Sequence, residues 1–322
     1  MERSVTSRPT VSAEAVIAAR ERIEASLFTW PVLESIVARR EADAAHDQDG
    51  ARASALATEL LSFARPDGSW GGDVLWTAES LMLLHELAAP LPPAERALVE
   101  AAFGWLLARA DEPGRFGESC DVASHQAGLC EHAVTGFLAV APPEADLTGV
   151  TLAAGGRFPS DSSARFGISC YALRALLAWQ VRDPRVDAHL ASLRTLVSRH
   201  SPVPGSPMDV AAYALGVGAV AEAVHSEPDR VAALAGLTRL AALQRGDGSW
   251  PGVDLFHVLE ILLRALRAGH HLDAAHAAVT RSVGILSLMA GEDGSWGRGT
   301  GPERSLIGWR AFHHIAIGPA HH

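Results

Sequence analysis

The 322-residue chain has only three cysteines, no apolar run long enough to span a bilayer, and no cluster of basic residues. Three cysteines (Cys120, Cys130 and Cys170) are too few and too odd in number for a disulfide framework. A membrane-crossing helix needs roughly 20 consecutive apolar residues. One of the best candidates, starting at Val210, is stopped by Glu222. Nucleic acid is disfavoured because 27 Lys and Arg face 37 Asp and Glu, a formal charge of −10, and phosphate recognition needs grouped cations. The polar opening from Met1 to Ser12, with Pro9, has no apolar stretch that could act as a signal peptide. A G-x-S-x-G elbow, an H-E-x-x-H pair and a Gly-rich phosphate loop are all missing. The expectation is a soluble cytoplasmic protein with no membrane span and no nucleic-acid partner.

What is present is a repeat. Apolar residues make up 48%, ample for a large core. The string Asp-Gly-Ser-Trp occurs three times, ending at Trp70, Trp250 and Trp296, the last two 46 residues apart. Worn copies fall at Phe116, Phe158 and Gly205, so the chain divides into six units of about 45 residues. Each unit opens with an outer helix, announced by signals such as Pro92-Pro93, Asp183-Pro184, Glu227-Pro228 or Asp273. A glycine turn follows, then a helix apolar on most faces, as in Val210–Glu222. This pattern predicts an all-α fold: an (α/α)6 barrel of six inner and six outer helices over residues 49–322. Residues 1–48 form an extension with one added helix, over Val11 to Leu27.

One acid follows each turn: Asp73, Asp121, Asp161, Asp209, Asp254 and Glu303. A carboxylate there caps a helix and complements its dipole. The same positions converge on one mouth of such a barrel, where an acid not engaged in capping faces the cavity. Trp76, Phe166, Tyr213, Phe256 and Trp309 follow the turns closely enough to line its walls, and aromatic faces stabilise cations; core packing explains the same spacing. Asp121 and His125 share a helix face, as do Trp309 and His313. His189, His200 and His276 are expected on solvated outer helices. Cys120, His125, Cys130 and His132 lack the short spacings of a zinc site, so no metal is expected.

Gln244-Arg245-Gly246-Asp247-Gly248-Ser249-Trp250 resembles the Q-x-x-x-G-x-W repeat of class II terpene cyclases of the squalene–hopene type. A looser form of that repeat marks protein prenyltransferase β subunits, and the resemblance covers nearly the whole chain from Ala51. Trp70 and Trp296 keep the G-x-W, with Ala64 and Ala290 in place of the glutamine. Asp73-Val74-Leu75-Trp76-Thr77-Ala78 looks like the cyclases' acidic D-x-D-D-T-A motif, with Leu75 and Trp76 replacing the later aspartates. Asp254 to His257 looks like the prenyltransferase segment holding a zinc histidine, which assigns His257 to that position. Asp209 matches the zinc aspartate, but Ala211 replaces the cysteine. Arg165 falls in the diphosphate-contacting segment, and Ala123 replaces the arginine that binds a peptide carboxylate.

Together these features favour an enzyme, an isomerase or lyase of natural-product type. It would cyclise or rearrange an isoprenoid or other polyene by acid catalysis on a hydrophobic small-molecule substrate. Asp73, Asp121, Asp209 and Asp254 are the candidate acids, with His257 and His313 as bases. Trp76, His125, Arg165, Phe166, Tyr213, Phe256 and Trp309 are the candidate substrate contacts. No cofactor is expected, magnesium entering only with a diphosphate substrate. The alternatives are a prenyltransferase for a small acceptor, with Arg165 holding the diphosphate, and a non-catalytic scaffold for hydrophobic ligands.

Overall fold

A computed structural model describes residues 12–110, 137–142, 144–204, 208–223, 226–269, 273–291, 295–296 and 301–317. The described chain is all-helical. Its twelve helices are α1 (Ala13–Leu27), α2 (Leu33–Glu41), α3 (Asp49–Ser62), α4 (Val74–Leu87), α5 (Pro93–Leu107), α6 (Asp161–Ala178), α7 (Pro184–Arg199), α8 (Val210–Glu222), α9 (Glu227–Ala242), α10 (Leu255–Arg267), α11 (Asp273–Met289) and α12 (Gly301–Ile317). The unit around Phe116, including Asp121, His125, Cys130 and His132, lies outside the described residues. No described helix is long and apolar enough to cross a membrane.

The repeat turn shows why its residues recur. In each sharp copy the tryptophan is buried and its indole Nε1 donates to the carbonyl ten residues earlier: Trp70 to Leu60 (2.9 Å), Trp250 to Leu240 (2.6 Å) and Trp296 to Leu286 (3.1 Å). The indole thus adds a second donor to a carbonyl in the last turn of the preceding helix, which otherwise bonds only the backbone N–H three or four residues on. The aspartate accepts from the serine amide and hydroxyl two residues on, at Asp67 and at Asp247. Gln244 Nε2 reaches Gly248 O and Ala278 O, tying the turn to α11. The glycine is demanded twice over. Gly68 has φ +85°, and a Cβ there would stand 2.2 Å from the backbone nitrogen of Ala102 in α5. Gly68→Ala is therefore expected to destabilise the fold by about 3 kcal/mol, through left-handed strain plus a backbone clash. Gly50→Ala, with no atom near its added methyl, is the control; equal urea midpoints for the two would refute the argument.

Packing separates the helices into two kinds. Every residue from Val210 to Ala221 of α8 is buried, whereas α9 buries Ala232, Ala233, Gly236, Leu237 and Leu240 along one stripe. Contacts run from α4 to α6, α8, α10 and α12 in turn, then through α2 back to α4. Amphipathic helices follow on the outside, with α7 against α9, α9 against α11 and α11 against α1. Two helices, not one, occupy the segment before residue 49. α1 rests on α12 and α11, with Trp309 Nε1 donating to Glu24 (3.1 Å), while α2 packs between α12 and α4. Arg39 of α2 is buried and binds both oxygens of Asp49. His189 departs from its expected solvated position: it is buried against Phe137, and burial drives its pKa down to about 3.

An ionic network joins the C-terminal halves of the helices in this closed series. Arg310 (α12) holds Glu41 (α2, 2.9 Å) and Glu86 (α4, 3.1 Å). Arg264 (α10) bonds Glu86 and Glu222 (α8, 2.8 Å), and Arg267 bonds Glu41. Arg174 (α6) takes Glu260 of α10 at 2.9 Å and approaches Glu222 at 3.6 Å. Four carboxylates meet four guanidinia, and every cation of this chain is arginine. Its planar fork suits shared, partly buried pairs better than a lysine ammonium does. A cavity of about 540 Å³ opens beside this network, lined by Arg40, His85, Glu86, Glu222 and Arg267.

Candidate functional site

Three of the expected acids are helix caps. Asp73 Oδ1 accepts from Trp76 N (2.8 Å), Asp209 Oδ1 from Ala212 N (2.9 Å) and Asp254 Oδ1 from Phe256 N (2.9 Å). Asp73 is otherwise exposed. Asp254 gives its second oxygen to Arg304 Nη2 (2.7 Å). Asp209 is buried and takes the Ser163 hydroxyl as well; burial pushes its pKa up, and those hydrogen bonds oppose the rise. In α6 the cap is Ser160, not Asp161, which instead binds Arg165 Nε (2.7 Å) and accepts from Leu147 N (3.0 Å).

The aromatic wall is corrected by the packing. Tyr213 points away from the inner series, its hydroxyl donating to Val197 O of α7 (3.0 Å). Phe166 stacks on Phe137, Phe256 meets Trp296 edge-on, and Trp309 meets Phe28, the C-cap of α1. All four are buried between helices as core, which is where most of the area of a large ring is removed from water. His313, only partly buried, stacks on Trp309 with ring centroids 4.7 Å apart. Trp76 alone stays half exposed. Arg165 is not available for a diphosphate: besides Asp161, its guanidinium donates to the carbonyls of Ala141, Pro142 and Ala145.

A different set converges. Trp76, Glu79, Leu83 and Glu86 recur at three- and four-residue steps along α4, as do His257, Glu260, Arg264 and Arg267 along α10. Glu34, Glu79, Tyr171, Glu260 and Glu303, from five helices, are each only partly accessible. Among these carboxylates Glu303, in the first turn of α12, is the most perturbed. Burial, then the charges of Glu260, Glu34 and Glu79, raise its pKa from 4.5 to about 8, with Arg304 opposing. Burial also raises Glu34 and Glu79. Glu260 behaves oppositely: burial disfavours its charge, yet the bound Arg174 overrides this and brings it down to about 2. The group therefore holds one ionised carboxylate beside one that keeps its proton at neutral pH.

His257, one of the two expected bases, lies in the first turn of α10. It is buried, and its Nε2 lies 2.9 Å from Ala211 O. A carbonyl can only accept, so the proton sits on Nε2 and Nδ1 carries the lone pair. Burial lowers its pKa, which keeps the ring neutral. Nδ1 faces Gly156, where an added Cβ would come within 2.7 Å.

Glu79, Tyr171 and Glu260 were missed because they sit on helices read as apolar, Glu34 because no helix was expected over α2, and Glu303 was noted only as one acid of the ring. The available signal was the charged stripe itself, at helical spacing on helices that are otherwise buried. Among the described residues no three His, Cys, Asp or Glu side chains are grouped as metal ligands. Compared with known proteins, the chain matches no family model and no curated protein.

Proposed function

We propose that the chain is an (α/α)6 barrel enzyme that rearranges or cyclises an isoprenoid or similar polyene by protonating it. The closed series of contacts through α2, α4, α6, α8, α10 and α12 supports the barrel, with α2 contributing to the inner ring. The observation that carries the chemistry is Glu303, a carboxylic acid protonated near pH 7 within a group of other carboxylates. Glu303 gives its proton to one alkene carbon, leaving a cation on the other. Ionised Glu260, the remaining acids and the open face of Trp76 stabilise that charge as it moves along the substrate. Neutral His257 takes the final proton at Nδ1 and an alkene is released. One proton enters and one leaves, so the substrate's mass is unchanged, and solvent resets both groups. The acidic surroundings repel a diphosphate. With Arg165 fully engaged, prenyl transfer loses its anion anchor.

Neutral linear polyenes and prenyl diphosphates, each incubated with the protein, separate these chemistries by mass spectrometry. A product of unchanged mass and altered retention from a neutral polyene is the expected result. Glu303→Gln should reduce its rate by at least about 10³-fold, while Asp73→Asn, which keeps a capping oxygen, stays within a few-fold. Full activity in Glu303→Gln would remove the proposed donor. Diphosphate release from a prenyl diphosphate would restore the transferase reading.

A further inference from the structure

Two histidines far apart in the chain meet across α11 and α12. His276 lies in the first turn of α11 and His314 in the last turn of α12. Nδ1 of His276 stands 2.9 Å from Nε2 of His314, with ring centroids 5.0 Å apart and ring planes at 64°. Both residues are half-buried, so solvent reaches the pair. His313 belongs elsewhere: adjacent helical residues project about 100° apart, and its ring stacks on Trp309. The pair sits at the opposite end of α12 from Glu303, eleven residues and about 16 Å along the axis.

A neutral imidazole carries one N–H and one lone pair, so at this spacing one ring donates and the other accepts. The same spacing suits a metal. Imidazole nitrogens bind divalent transition ions at about 2.0–2.1 Å, so two of them at right angles on one ion stand about 2.9 Å apart, and two at a tetrahedral angle about 3.3 Å. The observed 2.9 Å meets the first value, and small side-chain rotations reach the second without moving either helix. Partial exposure gives an ion a way in and leaves room for water as the remaining ligands. Among the described residues no third His, Cys, Asp or Glu joins the two. The protein therefore supplies two ligands, and the site is weaker than a structural site with three or four. The net charge of −10 favours a cation over an anion at the surface.

We propose that His276 and His314 form a two-imidazole site for a divalent transition-metal ion, copper(II) or nickel(II) ahead of zinc because right-angled positions suit those ions. On binding, the donating ring carries its proton on its other nitrogen, so that both facing nitrogens present lone pairs to the ion. The ion then staples the start of α11 to the end of α12. The site is separate from the Glu303 group and does not depend on the chemistry proposed there.

Copper(II) is titrated into the wild-type protein and into a fourfold variant, His270→Ala, His271→Ala, His321→Ala and His322→Ala, which removes the paired histidines nearest in sequence. Electron paramagnetic resonance counts the nitrogens bound to the ion, and melting curves measure the stapling. Both proteins are expected to show two imidazole nitrogens and a melting temperature raised by about 3 °C at ten times the Kd. His276→Asn and His314→Gln, made singly in the fourfold variant, keep a hydrogen-bonding side chain. Each should lose the two-nitrogen signal and at least about tenfold in copper affinity. Metal-free melting curves check that each is folded, and either one alone decides the matter. A two-nitrogen signal that survives either substitution overturns the site. So does its loss in the fourfold variant, which would give the ion to other histidines, and so does a wild-type protein that copper leaves unchanged.

Discussion

Glu303→Gln is expected to raise the melting temperature by about 5 °C near pH 9 and to leave it nearly unchanged near pH 4. The sign follows from where the proton sits. Below the ordinary carboxylate pKa of 4.5, Glu303 is protonated in both folded and unfolded chains, and an amide replaces a neutral acid at little cost. Between 4.5 and about 8 the folded chain holds a proton that the unfolded chain has lost, so rising pH favours unfolding. Above about 8 the folded carboxylate ionises beside Glu260, Glu34 and Glu79, and the whole penalty is present. A shift of that size corresponds to on the order of 4 kcal/mol. Glutamine carries no such penalty at any pH. Melting curves for the two proteins at several pH values suffice, and no substrate is needed. A constant difference across the range would give Glu303 an ordinary pKa and remove it as the proton donor.

Arg310→Ala is expected to cost about 3–5 kcal/mol at neutral pH. Arg310 is buried and bonds carboxylates on two other helices, Glu41 and Glu86. Truncation leaves both carboxylates partly buried with fewer partners, and water does not reach them well enough to compensate. Burial alone would raise the Glu86 pKa, but Arg310, Arg264 and Arg267 hold it far below the usual carboxylate range. A depressed folded pKa contributes stability that is complete above 4.5 and disappears as pH falls through the folded value. The difference between wild type and variant should therefore be largest near neutrality and narrow as pH drops below about 4. Arg230→Ala, which breaks the exposed pair with Glu227, is the control and should change little. Urea unfolding at three pH values decides it, and a loss no larger than the control's would make the network ornamental.

Both residues lie in helices whose order the sequence already displays, yet neither role could be read there. Trp70, Trp250 and Trp296 announce the repeat because a turn with one geometry needs the same indole, glycine and aspartate each time. Local chemistry of that kind is written in adjacent residues. The caps Asp73, Asp209 and Asp254 are legible for the same reason, since a cap bonds amides two or three residues away. Helix type was also legible: α8 is apolar all round and ends buried, while α9 carries one apolar stripe and ends half exposed.

Direction and neighbourhood were not legible. Tyr213 and Trp309 stand at spacings equally compatible with facing a cavity or an outer helix, and only packing against Val197 and Phe28 decides between them. The missed Glu34 and Glu79, with Glu303, come from three helices spread over most of the chain. Their altered pKa values arise from shared burial and, for Glu303, from the charges the fold gathers around it. The sequence by itself determined the helical repeat, its turns and its caps, because those depend on residues within one turn or two. Tertiary structure alone decided which carboxylates are paired, which keeps its proton and which rings merely fill the core, because burial and charge act through space, between helices far apart in the chain.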